Sequence, residues 1–596
     1  MGLPETVTDG GRLSTEGIIN KLAAIPHVSI LVTIRSNTLP SDTITWDLIP
    51  LEGVGYEDAR AIFISICPAA ADHPSLNELL EVLGYMPYAV TLMAKQAVNS
   101  FAQVDGLLAE WKRIGTNSLS QDLKEKMNRS IGLSVDSRAI SSDPDAQCLL
   151  AILAKLPSGT NLDHLKWWAK RVDRVTSAIG TLNNTALITQ RQEEDSSPMF
   201  YVLPVVQSYL HEQPLYNSPT TRRLVLQACC AFLQDHKSEP GDPDFKAHVK
   251  ELDIEKTNIQ TILHSLKPES LLELGLVESV TNVFDAMLTF GWYQFWTRPS
   301  TETLDHILRL APSSNIGEEK ALRYTAEAHI CLGRVYIRLA QCEESYDALE
   351  KARREFLKLG TPSDRIRAGH AALYLSDAWC YRQRPGSEVE GIVREAQEDL
   401  KDDPRGTARA LMYLGEALWY RRRFDDALQT LQRAKEASEK CGCRVEIVEC
   451  LLYMTRSYAL KGALEDCLKT GKELLQAARS SGANELISDA LVGLSRCYIR
   501  MKRYDDALVT LKESRIIHDK LGYPKLVAID LELSGYAYAK KGDRLGATIA
   551  YDAAKRKYDD MEETDQTRES SRDCEENLRK LEQGDMGLKA PYLYDE

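Results

Sequence analysis

A chain of 596 residues with a formal net charge of −14 is long enough to bury several cores, and at roughly 150 residues per domain it should hold three or four. The acidic balance excludes a general grip on nucleic acid, which needs clustered Lys and Arg to neutralise phosphates; 13 acidic against 5 basic side chains fall in residues 559–596 alone. No run of about 18 apolar residues is present to cross a membrane, and the N-terminus lacks a basic stretch followed by an apolar one, so a cytoplasmic protein without membrane contact is expected.

The chain opens with a short helix predicted over residues 14–24, capped by Ser14, and then the β-branched run Val28–Ile34. A run apolar on both faces suits a central parallel strand covered by helices. It ends at Arg35-Ser36-Asn37, the strand edge at which open α/β sheets place ligands. A second short strand is predicted over Trp46–Leu51, a helix from Gly55 carrying Ala59, Ile62, Phe63 and Ile66, and two apolar helices within Leu76–Val98, broken at Gly84-Tyr85-Met86-Pro87.

This order, a strand followed by Arg35, a Leu-rich strand before a helix, and Gly-x-x-Pro-x-Ala opening another helix, resembles the back half of the nucleotide-binding domain of STAND signalling ATPases, the NB-ARC and NACHT relatives. The resemblance covers about residues 1–120. It implies that Arg35 senses a terminal phosphate, as a fixed bidentate fork does, and that Pro87 packs on an adenine. The rest of the family's apparatus is missing from this sequence. A phosphate-cradling Gly-x-x-x-x-Gly-Lys-Ser/Thr loop does not occur, and the lone Gly-Lys pair, Gly471-Lys472, is followed by Glu473 inside a repeat helix. Gly2–Thr6 resembles the segment just after the family's magnesium-holding strand, so the sequence is expected to begin inside the domain, with no cofactor, only residual ADP or ATP binding, and no ATP hydrolysis.

Residues 121–215 read as a second unit, with helices over Cys148–Leu156, Leu162–Lys170 and Val175–Leu182, then strands Thr185–Thr189 and Phe200–Leu203 around a polar turn at 190–198. Three helices and a wing match the winged-helix domain that follows the nucleotide domain in the STAND family. The family's nucleotide-holding Met-His-Asp triplet is replaced by Val202-Leu203-Pro204. Residues 216–310 are a helical linker or cap, with helices predicted over Leu224–Gln234, Phe245–Leu266 and Leu271–Trp296, where Trp292 and Trp296 hint at a degenerate first repeat.

From 311 to 560 one pattern returns. Tyr336, Trp379, Leu418, Tyr458, Tyr498 and Tyr538 follow one another at spacings of 43, 39, 40, 40 and 40; Ala427, Cys467, Ala507 and Ala547 keep step nine residues later, and Gly442, Gly482 and Gly522 close successive units. Each unit reads as two helices, the second opened by Asp425 or Asp505 as N-terminal cap and ended by a left-handed glycine. No unit can bury its apolar face alone, so the stack must be continuous. The pattern resembles the tetratricopeptide repeat in a 40-residue form, with the unit around Trp379 degraded by Pro385-Gly386 and Asp403-Pro404. Residues 561–596 complete the chain as an acidic capping helix and a tail expected to be loose from Gly584.

The fold class expected is therefore mostly α: a right-handed α-solenoid of tetratricopeptide-like hairpins, preceded by a winged-helix unit and a partial α/β nucleotide-binding domain. The 13 cysteines form no paired CxxC spacing and are expected to be reduced thiols, with no metal site. Catalytic patterns such as His-Glu-x-x-His or Gly-x-Ser-x-Gly do not occur. Arg334, Arg338, Arg456, Arg496 and Arg500 recur on first helices and are the candidate partner-binding residues, suited on an inner face to an acidic peptide terminus. The function expected is a signalling scaffold that binds a protein partner on its repeats and is not an enzyme. The alternative is a nucleotide-switched STAND ATPase whose phosphate-loop half is missing from this chain.

Overall fold

The computed structural model describes Ile44 and residues 54–85, 87, 90, 93–94, 97, 104–114, 131–132, 134–185, 187–191, 197–272, 277–339, 341–381, 386–561, 565–585 and 587–589. The predicted helix at 14–24, the strands at 28–34 and 46–51, and Arg35 lie outside them. The chain divides into two compact units, one of Met1–Phe232 with Ile254–Ser265 and the other of Leu233–Asp253 with Leu266–Glu596.

In the first unit, helices Tyr56–Ile66 and Leu76–Val82 bury Ala59, Phe63, Leu79 and Leu80. Further along the chain, helix Pro144–Leu153 starts at Asp143, whose carboxylate accepts from the Ala146 amide at 3.2 Å, and Pro144 fills the first turn where no donor is lost. Strand Thr160–Asn161 follows, then helices Leu165–Trp168 and Val175–Asn184, then strands Thr189–Arg191 and Met199–Tyr201. The three strands form an antiparallel sheet in the order first, third, second, with Thr160 opposite Phe200 and Gln190 opposite Phe200 on the other side. Two departures from the sequence reading stand out. The strand at 160–161 has no apolar alternation to announce it, and the strand expected at 185–189 lies at 189–191, because Leu187 and Ile188 are held in the core before pairing begins.

One buried polar cluster ties this sheet to the helix Phe245–His264. Glu255, fully buried, accepts from the Thr160 hydroxyl at 2.5 Å and from Asn258 at 2.6 Å, and lies 2.7 Å from His164 Nδ1. Asn258 in turn accepts from the Ser158 amide at 3.0 Å and donates to the Gly159 carbonyl at 2.7 Å. The polar groups of Ser158, Gly159, Thr160 and His164 thus find partners on one helix, which is the condition for burying them.

The second unit is an α-solenoid of tetratricopeptide-like hairpins. Six run in sequence: Glu318–Arg338 with Cys342–Leu359, Pro362–Tyr381 with Gly386–Asp399, Pro404–Tyr420 with Phe424–Cys441, Arg444–Lys461 with Leu464–Ser481, Asn484–Arg500 with Tyr504–Leu521, and Pro524–Lys541 with Arg544–Asp559. Helices Val277–Thr297 and Glu302–Leu310 precede them, and Val277–Thr297 packs along the first helix of the first hairpin as the first helices of neighbouring hairpins do. Gly442, Gly482 and Gly522 close their helices at φ of 71°, 79° and 74°, a region that costs a side chain but not glycine. The small residues Ala427, Cys467, Ala507 and Ala547 are fully buried where the two helices of a hairpin meet.

Close approach also explains Gly333: a Cβ there would stand 2.3 Å from Leu349 Cγ, itself fully buried. Gly333→Val is expected to destabilise the array by about 2–3 kcal/mol through overpacking, read as a lower unfolding temperature with faster amide exchange in helices 318–338 and 342–359. Unchanged exchange there would refute the role of that contact.

Three expectations are corrected. Asp425 and Asp505 do not cap their helices; each instead binds a lysine of the next hairpin, Lys461 and Lys541, because both already lie inside the first turn with their side chains turned outward. Cys467 and Cys497 are joined by a disulfide rather than reduced, since their helices face each other and bring the two Cα atoms to 6.5 Å. The tail is not loose throughout: after the acidic helix Asp565–Glu582, Leu588 is buried in the terminal core and Asn577 accepts from the Lys589 amide at 2.8 Å.

Candidate functional site

Because neighbouring hairpins repeat about every 40 residues, polar side chains of the first helices meet from one hairpin to the next over the first five hairpins. Arg367 grips Glu327 with both ends of its guanidinium, Nε to Oε1 at 2.6 Å. Arg323 holds Asp364 the same way, at 2.9 and 3.0 Å. Arg409 donates to Glu446 at 2.6 Å and to the Tyr374 hydroxyl at 2.9 Å. Farther along, Tyr453 donates to Glu416, and Arg500 donates to the Ala459 carbonyl at 2.6 Å. Arg338 crosses the coil to pair with Glu485.

Part of this wall lines an open cavity of about 770 Å³. Arg334, Arg367, Tyr374, Arg409, Tyr413 and Glu449 line it from the hairpins. Trp292 and Trp296 of helix Val277–Thr297 line it from the other side, together with the segment His236–Phe245. That segment is seated on the fourth hairpin: the Gly241 amide donates to the Ser481 carbonyl at 2.8 Å, and a Cβ on Gly241 would lie 2.6 Å from the Arg444 side chain.

Burial dominates the electrostatics. It pushes Glu449 and Glu485 up to about 7 against the pull of Arg334 and Arg338, and it drives His370 down to about 3 with help from Arg409 and Arg367. Asp377 and Glu416 are both raised, chiefly by burial, and a hydrogen bond joins the two carboxyls.

Of the residues proposed from the sequence, the structure brings Arg334 to the cavity and Arg338 beside it, both over the Phe295 ring at 5.1 and 5.7 Å. Arg456 stacks on Trp419 and Tyr453, at 5.8 and 5.0 Å. Arg496 and Arg500 sit on the fifth hairpin, partly exposed, and Arg500 serves to bind the fourth hairpin to the fifth. Pro87 is exposed in the first unit, and Arg35 lies outside the described residues. Sequence reasoning missed Arg323, Arg367, Arg409, Tyr374 and Tyr413. The available signal was a second register of charges and tyrosines, Tyr374, Tyr413 and Tyr453, repeating at 39 and 40 residues alongside the apolar one. Among the described residues no group of His, Cys, Asp and Glu could hold a metal ion, and no helix is long and apolar enough to cross a membrane.

No protein-family model and no curated protein matches the sequence. Among solved structures, the chain is similar to a STAND protein with a tetratricopeptide repeat sensor from Pyrococcus horikoshii, at 14% identity over 89% of this chain and 73% of that one, with a TM-score of 0.45. It is also similar to a Rap protein complexed with competence and sporulation factor, at 11% identity over 60% of this chain and 98% of that one, TM-score 0.39. A third likeness is to BtubC from P. vanneervenii, at 17% identity over 37% of this chain and 94% of that one, TM-score 0.33. The hairpin architecture rests on this chain's own repeat and packing.

Proposed function

We propose that this chain is a scaffold of the STAND signalling type that holds a protein partner on its hairpin array and does not itself hydrolyse ATP. The observation that carries the reading is the wall built by the first helices of successive hairpins, from which Arg334, Arg367, Tyr374, Arg409 and Tyr413 line one cavity, as a solenoid presents its binding surface. Arg456 and Arg496, partly exposed on neighbouring hairpins, are the positions for partner contact. The first unit supports the same reading: its helices and small antiparallel sheet follow the order of a winged helix, and the sequence offers no phosphate-cradling loop.

The test is quantitative co-purification with the full chain, beside an Arg456→Gln, Arg496→Gln variant of unchanged helicity, and an ATP-turnover assay on the pure protein. One protein retained in stoichiometric amount by the unaltered chain and lost by the variant is the expected result, with no turnover above buffer. Equal retention by both, or steady ATP hydrolysis, would overturn the proposal.

A further inference from the structure

Of the six guanidiniums that line the cavity, three already hold a carboxylate: Arg323 has Asp364, Arg367 has Glu327 and Arg409 has Glu446. Arg334 does not. Among the described residues no carboxylate lies within 4 Å of it; it lies over the rings of Tyr374 at 4.4 Å and Phe295 at 5.1 Å, with only the Tyr413 hydroxyl at the long distance of 3.5 Å. Ring faces satisfy the flat side of a guanidinium but not its edge, where the N–H donors form a planar fork matched to a carboxylate or phosphate. Arg334 is partly exposed, and the space it is exposed to is this cavity. The carboxyls that feel its charge, Asp377, Glu449 and Glu485, are all raised by burial, which outweighs the pull of Arg334.

Next to Arg334 the lining of this space is aromatic. Phe295, beneath Arg334, meets Trp292 and Trp296 edge to face at 5.6 and 4.7 Å, and both tryptophans are partly exposed to the cavity. A cationic fork and two indole surfaces are therefore joined through one phenylalanine. The volume, about 770 Å³, falls in the range of ~300–1,000 Å³ that small-molecule sites occupy. The seated segment His236–Phe245 lines part of the same space.

We propose that this cavity binds a small organic anion in which a planar ring carries a carboxylate or a phosphate, the anion on the edge of Arg334 and the ring against Trp292 and Trp296. The ligand is distinct from the protein partner proposed above, and the inference does not depend on that partner.

The test uses the pure full chain, followed by tryptophan emission and calorimetry. Indole-3-acetate and AMP serve as ring carboxylate and ring phosphate, indole-3-acetamide and adenosine as their neutral counterparts. One of the anions is expected to bind about 10- to 100-fold more tightly than its neutral counterpart, the worth of a charge-assisted hydrogen bond, and to change tryptophan emission. Which anion binds decides between carboxylate and phosphate. Arg334→Gln is expected to erase the preference for the anion, and Arg334→Lys to restore part of it. Trp292→Ala should weaken both members of the preferred pair while leaving the anion preference in place. Anions that bind no better than the neutral compounds, or an Arg334→Gln protein that keeps the preference, would overturn the proposal and leave Arg334 a strut between aromatic rings.

Discussion

Replacing Glu255 with alanine is expected to detach the start of the small sheet from the helix that carries this residue, at a cost of about 3–5 kcal/mol. The carboxylate is fully buried and serves Thr160, His164 and Asn258 together. Its loss strands a hydroxyl, an imidazole and an amide in a site that excludes water, and each orphaned group carries its own desolvation penalty. A chain of two compact units need not unfold in one step, so a single global stability is the wrong readout. Hydrogen exchange resolves the question locally: residues 158–168 should lose protection by orders of magnitude while the hairpins beyond Glu318 keep theirs. Retained protection at 158–168 would show that the strand is held by packing alone. Glu255→Gln is expected to fall between, because it keeps an acceptor for Asn258 but places an amide nitrogen where a second carboxyl oxygen stood.

Raising the pH from 5.5 to 8.5 is expected to lower the unfolding temperature of the hairpin array by several degrees. Glu449, Glu485 and Glu532 are each held up at about 7 by burial, well above the ordinary glutamate value. A carboxyl raised in this way favours the folded state while protonated. Its contribution is complete below the unfolded value of about 4 and is lost as the pH rises through 7. The direction is opposite to that of Asp364 and Glu390, held below their ordinary range chiefly by hydrogen bonds from Arg323 and Arg394, whose contribution disappears only in acid. His370, held down to about 3 by burial, opposes the raised carboxyls, since the unfolded imidazole loses its proton as the pH passes about 6.5. Between pH 5.5 and 8.5 the three raised carboxyls outweigh this one imidazole, with a combined loss of about 2–5 kcal/mol. Melting curves of the unaltered chain and of a Glu449→Gln, Glu485→Gln variant provide the check. The variant should be flatter across this window, and an equally steep variant would sink the assignment.

Both predictions concern buried charge, and buried charge is where the sequence was least readable. The apolar period from Tyr336 to Tyr538 shows which side of each helix must leave water, and that suffices to predict hairpins, their length and their order. The closing glycines were equally visible, because a left-handed residue leaves a compositional mark. Nothing comparable marks a polar side chain that faces inward. Arg409 and the exposed Arg405 look alike in sequence, yet one is bound to Glu446 and Tyr374 and the other carries no such role. Asp425 and Asp505 fitted a local rule for helix starts, but their partners are lysines a whole hairpin away.

By itself the sequence determined the local events: where helices begin and end, which residues are small enough for close packing, and that the units must stack because none can bury its apolar face alone. Tertiary structure decided everything that depends on how tightly the stack coils. Coiling brings Arg338 to Glu485 from the first hairpin to the fifth, sets Cys467 against Cys497, and makes helix Val277–Thr297 part of the lining of a cavity. The physical reason is that a period specifies a direction on one helix, whereas a cavity is a relation among helices that are neighbours only once the chain has closed on itself.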